Sequence, residues 1–595
     1  MTGAASDVAA GPTGPGHSRL RRDLALVGLL VLGPLVAWLD KAYTIDDALF
    51  LKLARHLQQE PFDFYGFDVN WYGTYEPMHG VTMNPPATGY VIAAVAGLFS
   101  WDERVQHGAF LLAAAAVCLG TYLLARRLTG RPLEATLLGL LTPVFLVSST
   151  NVMCDTSMLA LWCWAVYAWM RGFDGGGRPW LWVAALLVAL AGLTKYYGVA
   201  LLPLLFLYGW MKSRRPGAWT LCLVLPLAVF VAYQLLTTEL YGRGLLGSAA
   251  RYAVAPEGLR KDWNLPNRVL VGLSFAGGCI LPALFLAPLL WTRRALLAGL
   301  LCLALGLFWL DEPVQEAIFL DPLWKYFPED GPPPLVNHTV VAQLCLFALG
   351  GVSLLALCAA ELRARRDPEA WLLVSWLLGT FAFAAFLNWV NNGRSNLPMA
   401  PVAGILIVRQ LERRAARGAG ASLGRRLGWA APAFLLALLV AHADYVWAGE
   451  NRAAARELVQ RARRIQPDPL VFQGHWGFQH YMEEGGAVPL DYDEVLPAGT
   501  LLVVPTNNAQ TVEPEAWIEA ARGARSRESS PLVFERRNER PRWIHTVAHG
   551  IGAGFYASNI GPLPWVIARP WPPDLYRVWR APSDHRFSSR GRFDG

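Results

Sequence analysis

Apolar runs recur along the chain from Leu24 to Val446, each ended either by arginines or by a loop of polar and aromatic residues. Runs of that length, apolar all round, read as membrane spans rather than as one face of a soluble helix. The first, Leu24 to Trp38, follows Arg19, Arg21 and Arg22 and has no small-residue cleavage site before Asp40 and Lys41. It therefore reads as a retained span and not as a signal peptide, with residues 1–22 a disordered cytoplasmic tail. Basic clusters then alternate with non-basic connections, as the charge bias of membrane proteins requires. Arg126 and Arg127, Arg171, Lys212 to Arg215, Arg293 and Arg294, Arg363 to Arg366, and Arg409 to Arg426 mark one side. Tyr43 to His107, Ser148 to Asp155, Tyr241 to Arg268, Asp311 to His338 and Asn388 to Leu397 mark the other.

One stretch decides the register of this alternation. Trp180 to Trp210 is roughly 45 Å long as a single helix, against a hydrocarbon core of about 30 Å. Read as one span it would put every later arginine cluster outside; read as two short spans meeting near Lys195 it keeps them inside. Two spans are expected there, and about thirteen in all. Residues 23–444 then form the membrane domain, with 41–107 as a first outer loop carrying interfacial helices. After Asp444 the chain turns polar and Pro-rich, with a helical stretch at Ala453 to Arg464 and β-like runs at Leu470 to Phe472, Thr500 to Val504 and Trp543 to Val547. Residues 445–595 are expected to be a soluble α+β domain on the outer, periplasmic side, serving acceptor docking or as a lid.

Composition agrees with this division and removes other classes. Hydrophobic residues make up 54% of the chain and charged residues 16%, well below soluble proteins, and the net charge of +7 lies in the inter-span arginine clusters. Nucleic acid is excluded as a partner; membrane lipids are expected. The eight cysteines lie in or beside apolar segments without a CxxC pair, which suggests neither a disulfide frame nor a thiolate zinc site.

The chemistry-bearing positions sit at the outer ends of the spans. Asp46 and Asp47 stand just outside the first span and open a segment that places Leu49, Leu53 and Leu57 on one face and Lys52 and His56 largely off it, as in a helix lying along a membrane surface. Capping that helix would occupy only one of the two acids. Tyr65, Trp71, Tyr72, Tyr75, Glu76 and His79 follow, then Asn84-Pro85-Pro86. Aromatics interleaved with polar groups suit a sugar, and an interfacial aromatic belt equally. Asp155 begins a span that returns from the same side, where it either caps the helix or serves the site. Lys195, beside Tyr196 and Tyr197, reads either as a snorkelling lysine or, on a face where the charge bias disfavours it, as a partner for an anionic phosphate, and Arg394 is a further cation on this face. His475 and His480, later in the chain, match no strong zinc spacing and read as packed among aromatics.

Four of these features together resemble the GT-C superfamily of integral-membrane glycosyltransferases, nearest to bacterial relatives of protein O-mannosyltransferase and of the lipid A aminoarabinose transferase. They are the acidic pair after the first span, the Asn84-Pro85-Pro86 turn, the Cys154-Asp-Thr-Ser-Met158 start of the fourth span, and Gly192-Leu-Thr-Lys-Tyr-Tyr197. The family pattern usually has Asp-Glu where this chain has Asp46-Asp47, and often His or Lys where it has Asn84. The resemblance implies an all-α polytopic fold of GT-C type in a bacterial inner membrane. It also implies transfer of a sugar, with inversion, from a polyprenyl-phosphate donor to a periplasmic lipid, glycan or protein acceptor. Carried onto this sequence, it makes Asp46 or Asp47 the base, Asp155 a supporting acid, Lys195 and Arg394 the donor-phosphate ligands, and Tyr75, Glu76, Asn84, Tyr196 and Tyr197 substrate contacts. A divalent cation, Mg²⁺ or Mn²⁺, on Asp46, Asp47 and Asp155 is left open. Two other classes compete: a transporter or flippase, against which stands the lack of an inverted repeat, and a non-catalytic scaffold of envelope glycan assembly. An oligosaccharyltransferase shares the membrane architecture, but no Trp-Trp-Asp motif occurs in the C-terminal region.

Overall fold

A computed structural model describes residues 15–82, 84–254, 265–309, 338–466, 469–509, 511–524, 529–538, 542–548, 551–568 and 574–587. Most of the expected tail, residues 255–264 of the connection at 241–268, and all but the last residue of the connection at 311–338 lie outside these residues. The last part of that tail does not: Pro15–Val27 is helical and runs through a π-turn at Gly28–Leu32 into Gly33–Ala37. Among the described residues five helices are long and apolar enough to cross a membrane, namely Glu103–Leu128, Trp219–Tyr241, Thr339–Ala364, Pro368–Leu387 and Leu423–Ile465.

The Trp180 to Trp210 stretch doubles back as its length demands. It forms a helix at Arg178–Thr194, an extended residue at Lys195, a 3₁₀ turn at Tyr196–Ala200 and a second helix at Leu201–Ser213. Lys212, at the far end of the second helix, pairs with Asp174 at 3.3 Å, just before the start of the first. Both ends of the hairpin therefore lie at one level and Lys195 at the other. Gly198 makes the reversal tight, because a Cβ there would stand 2.4 Å from the Ala191 carbonyl carbon.

Small residues let the helices cross closely, the usual device where lipid provides no hydrophobic drive between them. A side chain on Gly277 would meet the Phe347 carbonyl oxygen at 1.9 Å, so helices Leu265–Cys279 and His338–Ala364 touch backbone to backbone.

The last helix runs through the residue at which the membrane domain is expected to end. Leu423–Ile465 is unbroken across residue 444, about 65 Å at 1.5 Å per residue, so the stretch from Ala453 to Arg464 prolongs the final span instead of starting a separate fold. Beyond it lies a five-stranded sheet in the order Val488–Pro489, Val471–Phe472, Leu501–Pro505, Leu575–Arg580, Leu532–Arg537. The first three strands run parallel and the Leu575–Arg580 strand is antiparallel to both neighbours. The sheet domain packs on the first outer loop, where the Tyr481 hydroxyl accepts from the Tyr43 N–H at 2.8 Å and Lys52 pairs with Glu483 at 2.5 Å.

Candidate functional site

The site forms where the start of helix Asp47–Leu57, the turn before helix Cys154–Arg171, the Lys195 reversal and the loop at Arg394 meet. The two adjacent acids part company there. Asp47 is wholly buried; its two carboxylate oxygens accept the Thr44 and Val152 N–H groups, each at 2.9 Å. Burial, only partly offset by those bonds and by Lys41, pushes its pKa up to about 7. Asp46 turns outward instead, with its side chain 27% exposed and Oδ2 at 2.9 Å from the Arg394 guanidinium. It holds the N-cap position of the helix without making a side-chain capping bond, so neither acid caps that helix as a simple structural reading expects. Ile45, just before them, has a φ of +48°. That left-handed conformation is costly for a β-branched residue and is held by the contacts on either side.

Four residues singled out from the sequence now fall in one line. Arg394 lies between Asp46 and Asp155, whose Oδ2 is 4.0 Å away, and Asp155 Oδ1 pairs directly with Lys195. Asp155 is buried, while Arg394 and Lys195 keep 14% and 19% of their side chains exposed, so the line of charges, called the cleft below, is partly open to solvent. Asn84 joins them, its amide oxygen 3.5 Å from the Cys154 sulfur and its carbonyl accepting from the Tyr65 hydroxyl. Tyr252 lies within electrostatic reach: burial and then the Asp46 carboxylate push its hydroxyl up to about 12.

Other expected contacts are placed differently. Tyr197 turns into the helix bundle and stacks on Phe383 at 4.2 Å, because an aromatic ring following the reversal fills the gap between helices. Tyr196 hydrogen-bonds the Tyr233 hydroxyl at 2.9 Å. Tyr75 and Glu76 sit on the Tyr75–Pro77 strand of a hairpin with Asp68–Asn70, where Tyr75 lines a small cavity shared with Lys52 and Glu483 and Glu76 accepts from Thr74. His475 and His480 are packed, the first against Trp71 and the second against Tyr43, and burial lowers both to about 3.

Behind the cleft is a buried polar network that sequence reasoning missed. Lys41 pairs with Asp444 at 2.6 Å and donates to Asn151 and Thr150, all without solvent contact. Asp444 also accepts from Thr546 at 2.6 Å and from Tyr556 at 2.8 Å, and the Tyr556 ring lies 5.7 Å from the Arg394 guanidinium. The loop carrying Arg394 is fixed by the sheet domain through Gly393 N–H to Phe555 O and Ser558 N–H to Asn391 O. The one signal available was Lys41, a lysine at the outer end of the first span, against the charge bias.

The arrangement does not fit a divalent cation. Asp47 has committed both oxygens to backbone N–H groups, and Asp46 and Asp155 face guanidinium and ammonium groups instead of each other. Among the described residues no three His, Cys, Asp or Glu side chains gather as a metal site.

Fold and site thus define a polytopic membrane protein with a line of alternating charges where its helices end. Residues 83–234 match the model of the dolichyl-phosphate-mannose-protein mannosyltransferase family. That stretch carries three of the four features behind the GT-C resemblance, which is thereby supported. No curated protein matches the chain in sequence. Among solved structures it is similar to ArnT from Cupriavidus metallidurans bound to undecaprenyl phosphate, at 15% identity and TM-score 0.40, over 88% of this chain and 96% of that one. It is also similar to the oligosaccharyltransferase AglB from Archaeoglobus fulgidus, in complex with an inhibitory peptide and a dolichol-phosphate, at 14% identity and TM-score 0.43. That match covers 80% of this chain and 64% of the archaeal one, so the chain spans somewhat less than two thirds of that protein.

Proposed function

We propose that the chain is an inverting glycosyltransferase that moves a sugar from a polyprenyl-phosphate donor to a hydroxyl of a lipid, glycan or protein acceptor. The observation that carries this reading is the line Asp46, Arg394, Asp155, Lys195: an accessible carboxylate beside two cations, with a buried acid between them. An acceptor hydroxyl needs a base within hydrogen-bond reach, and a departing phosphate needs fixed positive charge. Asp46 Oδ1 has no protein hydrogen bond among the described residues and is the oxygen assigned to take the acceptor proton. The acceptor oxygen then attacks the anomeric carbon from the side opposite the phosphate. The bond from that carbon to the phosphate oxygen breaks with its electron pair on the phosphate, where Lys195 and Arg394 meet the charge. Asp155 holds both cations in position, and Asp47 sets the turn that presents Asp46. Asn84 and Tyr196 border the donor, and no step requires a metal.

The topology that goes with this reading has about thirteen spans, a cytoplasmic N-terminus, and the cleft and sheet domain facing the periplasm of a bacterial inner membrane. The reversal at Lys195 and the gathering of Arg126, Arg127, Arg171, Arg365 and Arg409 around one cavity at the opposite helix ends support it. The test is transfer of radiolabelled sugar from a polyprenyl-phosphate donor in proteoliposomes. It is paired with the structures of envelope glycans from cells with and without the protein. Transfer that needs Asp46 supports the enzyme; movement of the labelled lipid across the bilayer without any transfer would establish a flippase instead.

A further inference from the structure

The membrane face opposite the cleft carries a second built cavity. It is an open depression of about 700 Å³ between helices Glu103–Leu128, Cys154–Arg171 and Met399–Ala416 and the junction before Pro368–Ala382. Arg126, Arg127, Arg171, Arg365 and Arg409 all line it. Asp155 and Arg171 end the same helix, about 24 Å apart at 1.5 Å per residue, so this cavity and the cleft do not overlap.

The charges in it do not cancel. Of the two lining acids, Asp174 is taken by Arg127 and Lys212, and Glu369 by Lys212. Arg409 shares buried Glu361 with Arg413. Arg126, Arg171 and Arg365 have no carboxylate within 4.0 Å among the described residues. The remaining wall is apolar and aromatic: Leu123, Leu128, Met170, Tyr167 and Trp180, with Arg127 lying over the Tyr167 ring at 5.7 Å. Arginines bind phosphate through paired donors, and the apolar side chains beside them can take the start of an acyl chain, which a free phosphate lacks. Tryptophan and tyrosine at a helix end mark the level of lipid headgroups.

We propose that this cavity is a site for an anionic phospholipid of the membrane leaflet opposite the catalytic cleft, its phosphodiester held by Arg126, Arg171 and Arg365 and its upper acyl chain against Leu123, Met170 and Trp180. Arg126, Arg171 and Arg365 are exposed at the rim and so open to a headgroup; the charge bias puts arginines on this face, but it does not by itself gather three of them with Tyr167 and Trp180 around one cavity. Basic pockets between helix ends are a known form of headgroup recognition.

The experiment uses full-length protein in nanodiscs of phosphatidylglycerol and phosphatidylcholine, with retained lipid read by native mass spectrometry. Wild type should retain phosphatidylglycerol preferentially, and R126Q/R171Q/R365Q should bind it on the order of 100-fold more weakly, at about fivefold per arginine. The control R363Q/R366Q removes two exposed arginines of the same face outside the cavity and should keep the preference. Thermal unfolding in phosphatidylcholine nanodiscs should be alike for all three proteins. The proposal is overturned if wild type shows no preference, if the triple variant keeps it, if the control loses as much, or if millimolar inorganic phosphate displaces the lipid. Because the readout is lipid retention, it succeeds or fails independently of sugar transfer.

Discussion

Replacing Asp46 by Asn separates chemistry from architecture more cleanly than any other change at the cleft. Asp46 Oδ2 meets Arg394 at 2.9 Å with 27% of the aspartate and 14% of the arginine side chain exposed. A partly exposed pair of this kind contributes about 1 kcal/mol to stability, and Asn retains an oxygen able to accept from Arg394. Loss of a general base, by contrast, costs about 10²-fold or more in rate, or about 2.7 kcal/mol of barrier. Asp46→Asn is therefore expected to insert and melt within a few degrees of wild type yet to transfer sugar at least 100-fold more slowly at saturating donor. Asp47→Asn is the paired control. Both of its oxygens accept backbone N–H groups and an amide can accept only one of them, so the variant should lose about 1–3 kcal/mol of stability, while its folded fraction, keeping Asp46, should stay within about tenfold of wild-type activity. The measurement is initial rate in proteoliposomes, normalised to folded protein by thermal unfolding in the same lipid. An Asp46→Asn enzyme within fivefold of wild type, or an Asp47→Asn enzyme that is stable and inactive, would refute this division of labour.

Lys195→Ala should raise the donor concentration needed for half-maximal rate as well as lower the rate, and Lys195→Arg should restore only part of either, as donor titrations will show; an alanine variant active at limiting donor rules out phosphate binding by Lys195. Lys41→Met leaves Asp444 buried and unpaired and should cost about 3–5 kcal/mol in unfolding experiments, with expression falling accordingly. Asp47, whose folded pKa lies above its ordinary value of 3.8 at about 7, favours the native state fully below pH 3.8 and loses that contribution as pH rises through 7; the stability of wild type should fall by about 4 kcal/mol from this group between those limits, and Asp47→Asn should remove that slope from pH-dependent melting curves. Single cysteines near Asn151 and Asn392 in a Cys-free background should be labelled from the periplasm and cysteines near Arg214 and Arg365 only after permeabilisation; labelling near Arg214 from outside contradicts the proposed orientation.

What could be read from the sequence was what lies close together in it or breaks a rule of membrane composition. The acidic pair, Asp155 and Lys195 each stand out as charges at a span end, and the reversal at Lys195 follows from helix length against bilayer thickness. Leu49, Leu53 and Leu57 are all buried, but so are Ala48, Phe50 and Leu51 off that face, so the helix is packed more fully than its pattern shows. Which of the two acids faces the cleft was not legible, because it depends on the turn at Ile45 and on Val152, more than a hundred positions away. The Lys41–Asp444 pair joins residues 403 positions apart, and Tyr556 reaches the cleft from the sheet domain; no local pattern announces either contact. Tyr197 shows the converse failure, since a residue inside a recognisable motif is turned away by packing.

These long-range contacts also change what the sheet domain does. The sheet domain is tied to the rest of the chain by buried polar contacts. Thr546 and Tyr556 donate to Asp444 in a buried network with Lys41, and the Phe555–Ser558 segment fixes the backbone of the Arg394 loop. On the other side, helix Trp476–Glu484 presses so closely on the first outer loop that a side chain on Gly477 would meet the Tyr43 carbonyl at 1.9 Å. Separating the domain would take the Thr546 and Tyr556 hydroxyls away from Asp444, leaving that carboxylate with fewer donors beside Lys41. Asp47 registers Asp46 against the turn before Asp155, and the sheet domain registers Arg394 against both. The charged line is thus drawn from four distant segments, and the Phe555–Ser558 contacts to the Arg394 loop are the sheet domain's part in it.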